Sequence, residues 1–280
     1  MNMRRGQIIL WILALGILLQ ACQKDHTPPP TPPTPKPVRK VLLKDIVIPN
    51  LPSPYYHFEY NSDSLASKVD FASGYSIYDV LYKGNNIAEM RNNIIVNHDT
   101  LRYLYDNAGK VFMILFISQS NIVYRHVSFM YDGDEVKKID FDHKEGDAGF
   151  LIDRNLTFTY YADGNVKAIT DHRPAHGGSP ETTTIQQFEQ YDDKVNVDDF
   201  SLIHATYQDH LFLLQGFRFQ KNNPGKEVFS AGPGNLAYTE DYTYTYNNDA
   251  TPAVKSGSLL FTAGSDSGKR FQTTTNYTYY

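Results

Sequence analysis

The chain has 280 residues, and its 31 acidic side chains outnumber its 26 lysines and arginines, so its formal net charge is −5. This balance argues against a nucleic-acid partner, because such binding depends on basic side chains that neutralise phosphates. A single cysteine excludes an intramolecular disulfide, and 21 tyrosines and 16 phenylalanines favour β structure.

Residues 1–21 have the features of an export signal. Arg4 and Arg5 precede an unbroken apolar run from Ile8 to Leu19, which is shorter than the roughly 20 residues that a transmembrane helix needs. Ala21 and Cys22 follow, and this order resembles the lipobox of bacterial lipoproteins. The resemblance implies that Cys22 carries a lipid, so that the membrane is a partner of the protein through this anchor.

Residues 22–39 predict a stalk between the anchor and the folded part. The stretch HTPPPTPPTPKP favours an extended polyproline II conformation, because proline fixes φ and lacks a backbone donor. The residues after Cys22, QKDH, resemble the signal that sends some lipoproteins to the outer face of Gram-negative outer membranes. That resemblance implies a lipid-anchored protein at the cell surface, with the periplasmic face of the outer membrane as the alternative.

Residues 40–280 repeat one short phrase, an aromatic residue followed by a turn of Asn, Asp or Gly. Because these turn residues tolerate positive φ, each phrase predicts a tight hairpin. Eight hairpins predict a single all-β domain, an antiparallel up-and-down meander of about 16 strands. Since open sheets rarely exceed about 10 strands, the meander should curl into a barrel or partial barrel. The phrases begin at Tyr60, Tyr82, Tyr105, Tyr131, Tyr161, Tyr191, Phe219 and Tyr246.

Two units, YDNAGKVFMI and YYADGNVKAI, resemble the Tyr-Asp repeats of Rhs-type bacterial proteins. Their apolar residues, Val111 with Ile114 and Val166 with Ile169, lie three apart and would face opposite sides of a regular strand. Both faces are then partly apolar, or a bulge follows the turn. The whole layout resembles a family of Gram-negative lipoproteins whose domain of unknown function is described as porin-like. That resemblance does not imply any functional residues for this chain.

An integral outer-membrane barrel is the alternative to a tethered sheet. The chain ends in the aromatic Tyr280, as many membrane barrels do, and DYTYTY alternates as a barrel strand would. Against this, KKIDFDH places Lys137, Lys138, Asp140 and Asp142 in one short stretch. A lysine or arginine on the lipid face costs roughly 2–4 kcal/mol near the midplane. The sequence therefore favours a tethered sheet outside the bilayer.

The sequence contains no recognisable catalytic constellation, and we expect no enzymatic activity, cofactor or metal. DHRPAHGG contains His172 and His176, but its proline and glycines indicate a loop. We expect a non-catalytic binding module for a glycan, lipid or protein, which predicts a concave pocket with convergent polar groups. A structural or adhesion element, the alternative, predicts a filled interior. The candidate ligand-contact aromatics are Tyr55, Tyr56, Tyr242 and Tyr244.

Overall fold

The computed structural model describes residues 41–203, 209–213 and 217–280. The proposed signal peptide (1–21), and the stalk (22–39) with the proposed lipid attachment at Cys22, lie outside these residues. Among the described residues, no helix has the length and apolar character needed to cross a membrane.

Sixteen strands in the described part form one closed up-and-down barrel, each antiparallel to its neighbours. The barrel closes at β1, where Ile46 pairs with both Tyr56 and Tyr277. The predicted all-β meander is therefore confirmed. The strands are β1 (Leu43–Val47), β2 (Tyr56–Tyr60), β3 (Ala66–Phe71), β4 (Ser76–Lys83), β5 (Asn86–Asn92), β6 (Thr100–Tyr105), β7 (Val111–Ile117), β8 (Val123–Asp132), β9 (Glu135–Lys144), β10 (Phe150–Tyr160), β11 (Val166–Arg173), β12 (Thr182–Glu189), β13 (Lys226–Ser230), β14 (Leu236–Tyr246), β15 (Pro252–Phe261) and β16 (Arg270–Tyr279).

A β-bulge follows the repeated turn and explains the spacing of its apolar residues. On β6 and β7, Leu104 pairs with Met113 and Tyr105 with Val111, so Phe112 is an extra residue. This bulge returns Val111 and Ile114 to the same face, where they are 5% and 0% exposed. The same register shift occurs between β10 and β11. Of the two alternatives that the sequence left open, the bulge is correct.

The tyrosine before the turn joins each hairpin to the preceding one. The Tyr82 hydroxyl donates to the Ala66 carbonyl at 2.8 Å, and the Tyr131 hydroxyl donates to the Val111 carbonyl at 2.7 Å. The equivalent residue near YYADGNVKAI is Tyr160, which donates to Val136, rather than Tyr161. These bonds encircle the end of the barrel that carries the repeated turns, which we call the turn end. The opposite end is the mouth.

The phrases at Tyr191 and Phe219 do not form hairpins of their own, contrary to the prediction. Both lie in one long connection, residues 190–225, between β12 and β13. Phe219 is 0% exposed, and its ring stacks on Phe158 at 4.7 Å between centroids. The burial of Phe219 against Phe158 therefore outweighs the local preference of this segment for a tight turn. Two short 3-10 helices lie in the described part of this connection, η2 (Asp199–Ser201) and η3 (Asp209–Leu213), and η1 (Gly146–Ala148) lies between β9 and β10.

The connection places apolar side chains inside the barrel. Phe200 packs edge-on against Tyr56 and Phe58 of β2. Phe212, which is 0% exposed, contacts Phe116 and Phe141 of the wall. Together with the inward side chains of the strands, these residues make one buried cluster. The hydrophobic core of the protein is therefore the lumen of the barrel.

Charged side chains lie on the outer wall. On β9, Ile139 and Phe141 are 0% and 1% exposed, while Lys138 and Asp140 lie on the opposite face as an ion pair of 2.8 Å. Glu89 on β5 is held between two arginines, at 2.7 Å from Arg91 and 3.0 Å from Arg102. The buried apolar side chains of these strands therefore point into the barrel, whereas the outer wall carries both acidic and basic side chains.

Candidate functional site

A cavity of about 1110 Å³ opens at the mouth of the barrel. It is lined by the beginnings of β4, β6 and β8 and by the ends of β5, β7 and β11. Phe116 lies at its floor and also contacts Phe212 of the inserted connection. The connection thus fills the lumen below this floor and leaves the mouth open.

The cavity has an apolar floor and an apolar rim. Tyr78 and Leu101 are 7% and 3% exposed in its floor. At the rim, Tyr75 is 61% exposed, and Ile95 and Val96 of the β5–β6 loop are 97% and 88% exposed. Large apolar side chains with this exposure beside a cavity are typical of a ligand or partner site.

Asn92 places an unpaired acceptor in the cavity wall. The residue is 3% exposed, and its Nδ2 donates to the Ser76 hydroxyl at 3.0 Å. Its Oδ1 is buried and accepts no hydrogen bond within the described part of the chain. Because a buried acceptor without a donor costs about 1–3 kcal/mol, this atom is suited to receive a donor from a bound molecule.

Other polar groups converge on the same cavity. The Tyr124 hydroxyl donates to Asp99 Oδ2 at 2.8 Å, and burial, reinforced by Asp99, raises the Tyr124 pKa above its usual value. On the far side, Arg173 lies 3.7 Å from Asp171, whose carboxylate is already bound by Arg154 at 2.8 Å. The Arg173 side chain is 45% exposed and lines the cavity, so it adds a positive charge to this wall.

The four aromatics predicted from the sequence lie elsewhere. Tyr56 is 3% exposed in the core, and Tyr55 packs edge-on against it. Tyr242 and Tyr244 lie on the inner face of β14, where Tyr244 donates to the Pro224 carbonyl at 3.0 Å. None of the four is among the residues that line the mouth cavity. Ligand contact by Tyr55, Tyr56, Tyr242 and Tyr244 stays a prediction.

The cavity residues were missed by sequence reasoning because they come from several strands and loops that are distant in the chain. Tyr75, Asn92 and Tyr124 stand in ordinary strand or turn contexts, and nothing local distinguishes them. One signal was present: Ile94, Ile95 and Val96 form an apolar run inside the polar stretch NNIIVNHD. Apolar residues in a connecting loop are unusual enough to mark a contact surface.

Comparisons with known proteins identify the fold. No protein-family model matches the sequence, and no curated protein sequence is significantly similar to it. The structure resembles the crystal structure of a porin-like protein from Bacteroides vulgatus, with a TM-score of 0.59, 14% identity, and coverage of 85% of this chain and 98% of that one. A porin-like protein from Bacteroides uniformis gives a TM-score of 0.57 at 14% identity, covering 80% and 89%. The chain therefore has the same barrel fold as these proteins.

Proposed function

We propose that the protein is a lipid-anchored outer-membrane lipoprotein whose barrel is a non-catalytic binding module for a saccharide. The observation that carries this proposal is the open mouth cavity, with aromatic rings beside the Asn92 acceptor, which has no partner among the described residues. The lumen below the cavity is filled, as a structural element also predicts, but such an element would have no need of an open cavity with convergent polar groups.

A saccharide matches the chemistry of the cavity better than a lipid does. Sugar hydroxyls both donate and accept hydrogen bonds, and the cavity offers them a buried acceptor at Asn92, a carboxylate at Asp99 and a guanidinium at Arg173. The apolar faces of sugar rings can lie against Tyr75 and Tyr78 at the rim and floor. A lipid chain would leave these polar groups without partners, at a cost in free energy.

The outer wall supports a tethered barrel rather than one embedded in lipid. Burying the Glu89–Arg91–Arg102 cluster in a bilayer would be expensive, since each arginine costs roughly 2–4 kcal/mol near the midplane. β1 begins at the turn end, so the described chain enters the barrel at the end opposite to the cavity.

Saccharide binding can be tested with the full-length chain purified in detergent and applied to an array of purified plant, fungal and animal glycans. We expect saturable binding to one sugar class, then measured by calorimetry. Tyr75→Ala should weaken the affinity at least about tenfold, or about 1.4 kcal/mol, without unfolding the barrel, because Tyr75 is 61% exposed. Phe112→Ala is the matched control, an exposed aromatic outside the cavity.

Two results would contradict the proposal. If no glycan binds saturably, the structural or adhesion role becomes the better account of the barrel. If a glycan binds with equal affinity to wild type and to Tyr75→Ala, its site is not the mouth cavity.

A further inference from the structure

Two histidines and a glutamate from separate parts of the chain meet at the mouth of the barrel. His143 lies near the end of β9, Glu145 follows in the β9–β10 loop, and His176 lies in the β11–β12 loop. One ligand atom from each lies within 4.8 Å of the other two. The rings of His143 and His176 are 5.3 Å apart between centroids, and His176 Nε2 is 3.9 Å from Glu145 Oε1.

The turn that follows His176 positions this residue in the cluster. Gly177 and Gly178 have φ of 57° and 85°, which glycine adopts without steric penalty. His176 and Ser179 exchange backbone hydrogen bonds of 3.1 and 2.8 Å across this two-residue turn. The paired glycines therefore build a tight hairpin that holds His176 at its base.

His172, the other histidine of DHRPAHGG, takes no part in the cluster. It lies on β11, where its Nε2 is 3.1 Å from Glu181 and its Nδ1 is 3.2 Å from Asn155 Nδ2. The helical spacing of His172 and His176 in the sequence is therefore irrelevant, because the segment is a strand and a hairpin. His176 is paired by the fold with a histidine 33 positions earlier in the chain.

Asp153 supplies a carboxylate behind this cluster. Its Oδ2 lies 3.2 Å from His143 Nδ1, and Arg125 contacts the same oxygen at 3.3 Å. The His143 Nδ1 atom is buried and has no partner in hydrogen-bond geometry within the described residues. Histidines that bind metals usually have such a carboxylate neighbour beside the ring nitrogen that does not bind the ion.

We propose that His143, Glu145 and His176 bind one divalent transition-metal ion of the zinc class. Two imidazoles and one carboxylate are a common zinc ligand set, in which water takes the fourth position. With bonds of about 2.0–2.1 Å in tetrahedral geometry, ligand atoms lie about 3.3 Å apart. The cluster must therefore close by up to about 1.5 Å, which rotation of the exposed Glu145 and His176 side chains about their χ angles would supply. This site does not depend on the proposed saccharide binding.

The test uses the full-length chain without a polyhistidine tag, stripped with EDTA and titrated with Zn²⁺ against a fluorescent chelator. We expect one zinc per chain, and a tetrahedral cobalt spectrum when Co²⁺ replaces zinc. His176→Ala and Glu145→Gln should each weaken zinc binding at least about tenfold. Both side chains are exposed, so neither change should unfold the barrel.

His172→Ala is the matched control, since it removes a histidine four positions away that lies outside the cluster, and zinc affinity should not change. The proposal is wrong if the stripped chain takes up no stoichiometric zinc. It is equally wrong if His176→Ala binds zinc as tightly as wild type, because the ion would then be held elsewhere.

Discussion

The Tyr105 hydroxyl donates a 2.8 Å hydrogen bond to the Ile87 carbonyl, beyond the point where the pairing of β5 with β6 ends at Glu89 and Arg102. The bond extends the seam between two consecutive hairpins past the last strand pair. Equivalent tyrosine-to-carbonyl hydrogen bonds recur around the turn end, so the repeated tyrosine has a structural role. It supplies a donor to a backbone carbonyl of the neighbouring hairpin.

Tyr105→Phe should lower the free energy of unfolding by about 1 kcal/mol, because it removes this donor and leaves the Ile87 carbonyl with one partner fewer. Urea unfolding followed by circular dichroism measures the loss. Tyr75→Phe is the control, since Tyr75 is 61% exposed, and its stability should stay at the wild-type value. Equal stability of Tyr105→Phe and wild type would mean that the seam bond contributes nothing.

Gly257→Ala should destabilise the barrel by about 1–3 kcal/mol, the usual range for overpacking. A Cβ at this position would lie 2.1 Å from Glu240 Oε1 and 2.2 Å from Thr273 Oγ1. Glu240 would have to move, although it accepts hydrogen bonds from Tyr242 and Thr273. Thermal unfolding measures the change.

The double variant Gly257→Ala with Glu240→Ala identifies the cause. If the clash with Glu240 is responsible, the two losses should not add, because the second change removes the group that the new methyl meets. Full additivity would place the damage elsewhere. Ser256→Ala, on the outer face next to Gly257, is the control and should be close to neutral.

The inserted connection should become less stable as the pH rises towards neutrality. Burial of the Asp199 carboxyl raises its pKa to about 7, although the Phe219 and Gln220 amides donate to it. The folded state therefore keeps a proton that the unfolded state has lost, and its stability falls between about pH 4 and pH 7. The contribution is present in acid and is lost as the pH rises through about 7.

Asp199→Asn isolates this effect, since the amide does not titrate. The free energy of unfolding of wild type, relative to that of the variant, should decrease from pH 4 to pH 7.5 by at least about 1.4 kcal/mol, a tenfold change in the folding equilibrium. Urea titrations at several pH values measure the difference. A constant difference over this range would show that Asp199 does not retain its proton.

Cys22→Ala should release the protein from membranes of a Gram-negative host. The proposal places the whole membrane attachment in the lipid at Cys22, and two or three acyl chains bind almost permanently, at about 0.8 kcal/mol per buried CH₂. The variant should take up no radiolabelled palmitate and should leave the membrane pellet in a carbonate wash. Gln23→Ala is the control and should stay anchored.

An integral barrel gives the opposite result, because Cys22→Ala would then remain in the washed pellet. Continued palmitate incorporation into the variant would instead show that the lipid is attached elsewhere.

The strand-and-turn architecture could be predicted because its signals are local. Each turn needs residues that accept positive φ, and these stand together in the sequence, as Asp106, Asn107 and Gly109 do between β6 and β7, where Gly109 has a φ of 79°. Once about sixteen antiparallel strands were expected, curling followed from the limited width of an open sheet. The sequence by itself therefore determined the antiparallel meander and the position of most of its hairpins.

Only the tertiary structure decided what lies inside the barrel. The phrases at Tyr191 and Phe219 have the same turn residues as the other repeats. Their segment nevertheless lies inside the barrel, because Phe212 and Phe219 are buried in the lumen. Asn92 and Arg173 meet at one cavity, and His143 meets His176, across long stretches of chain. Turn signals act over a few residues, whereas core packing and side-chain clusters depend on contacts between distant residues, which no local pattern records.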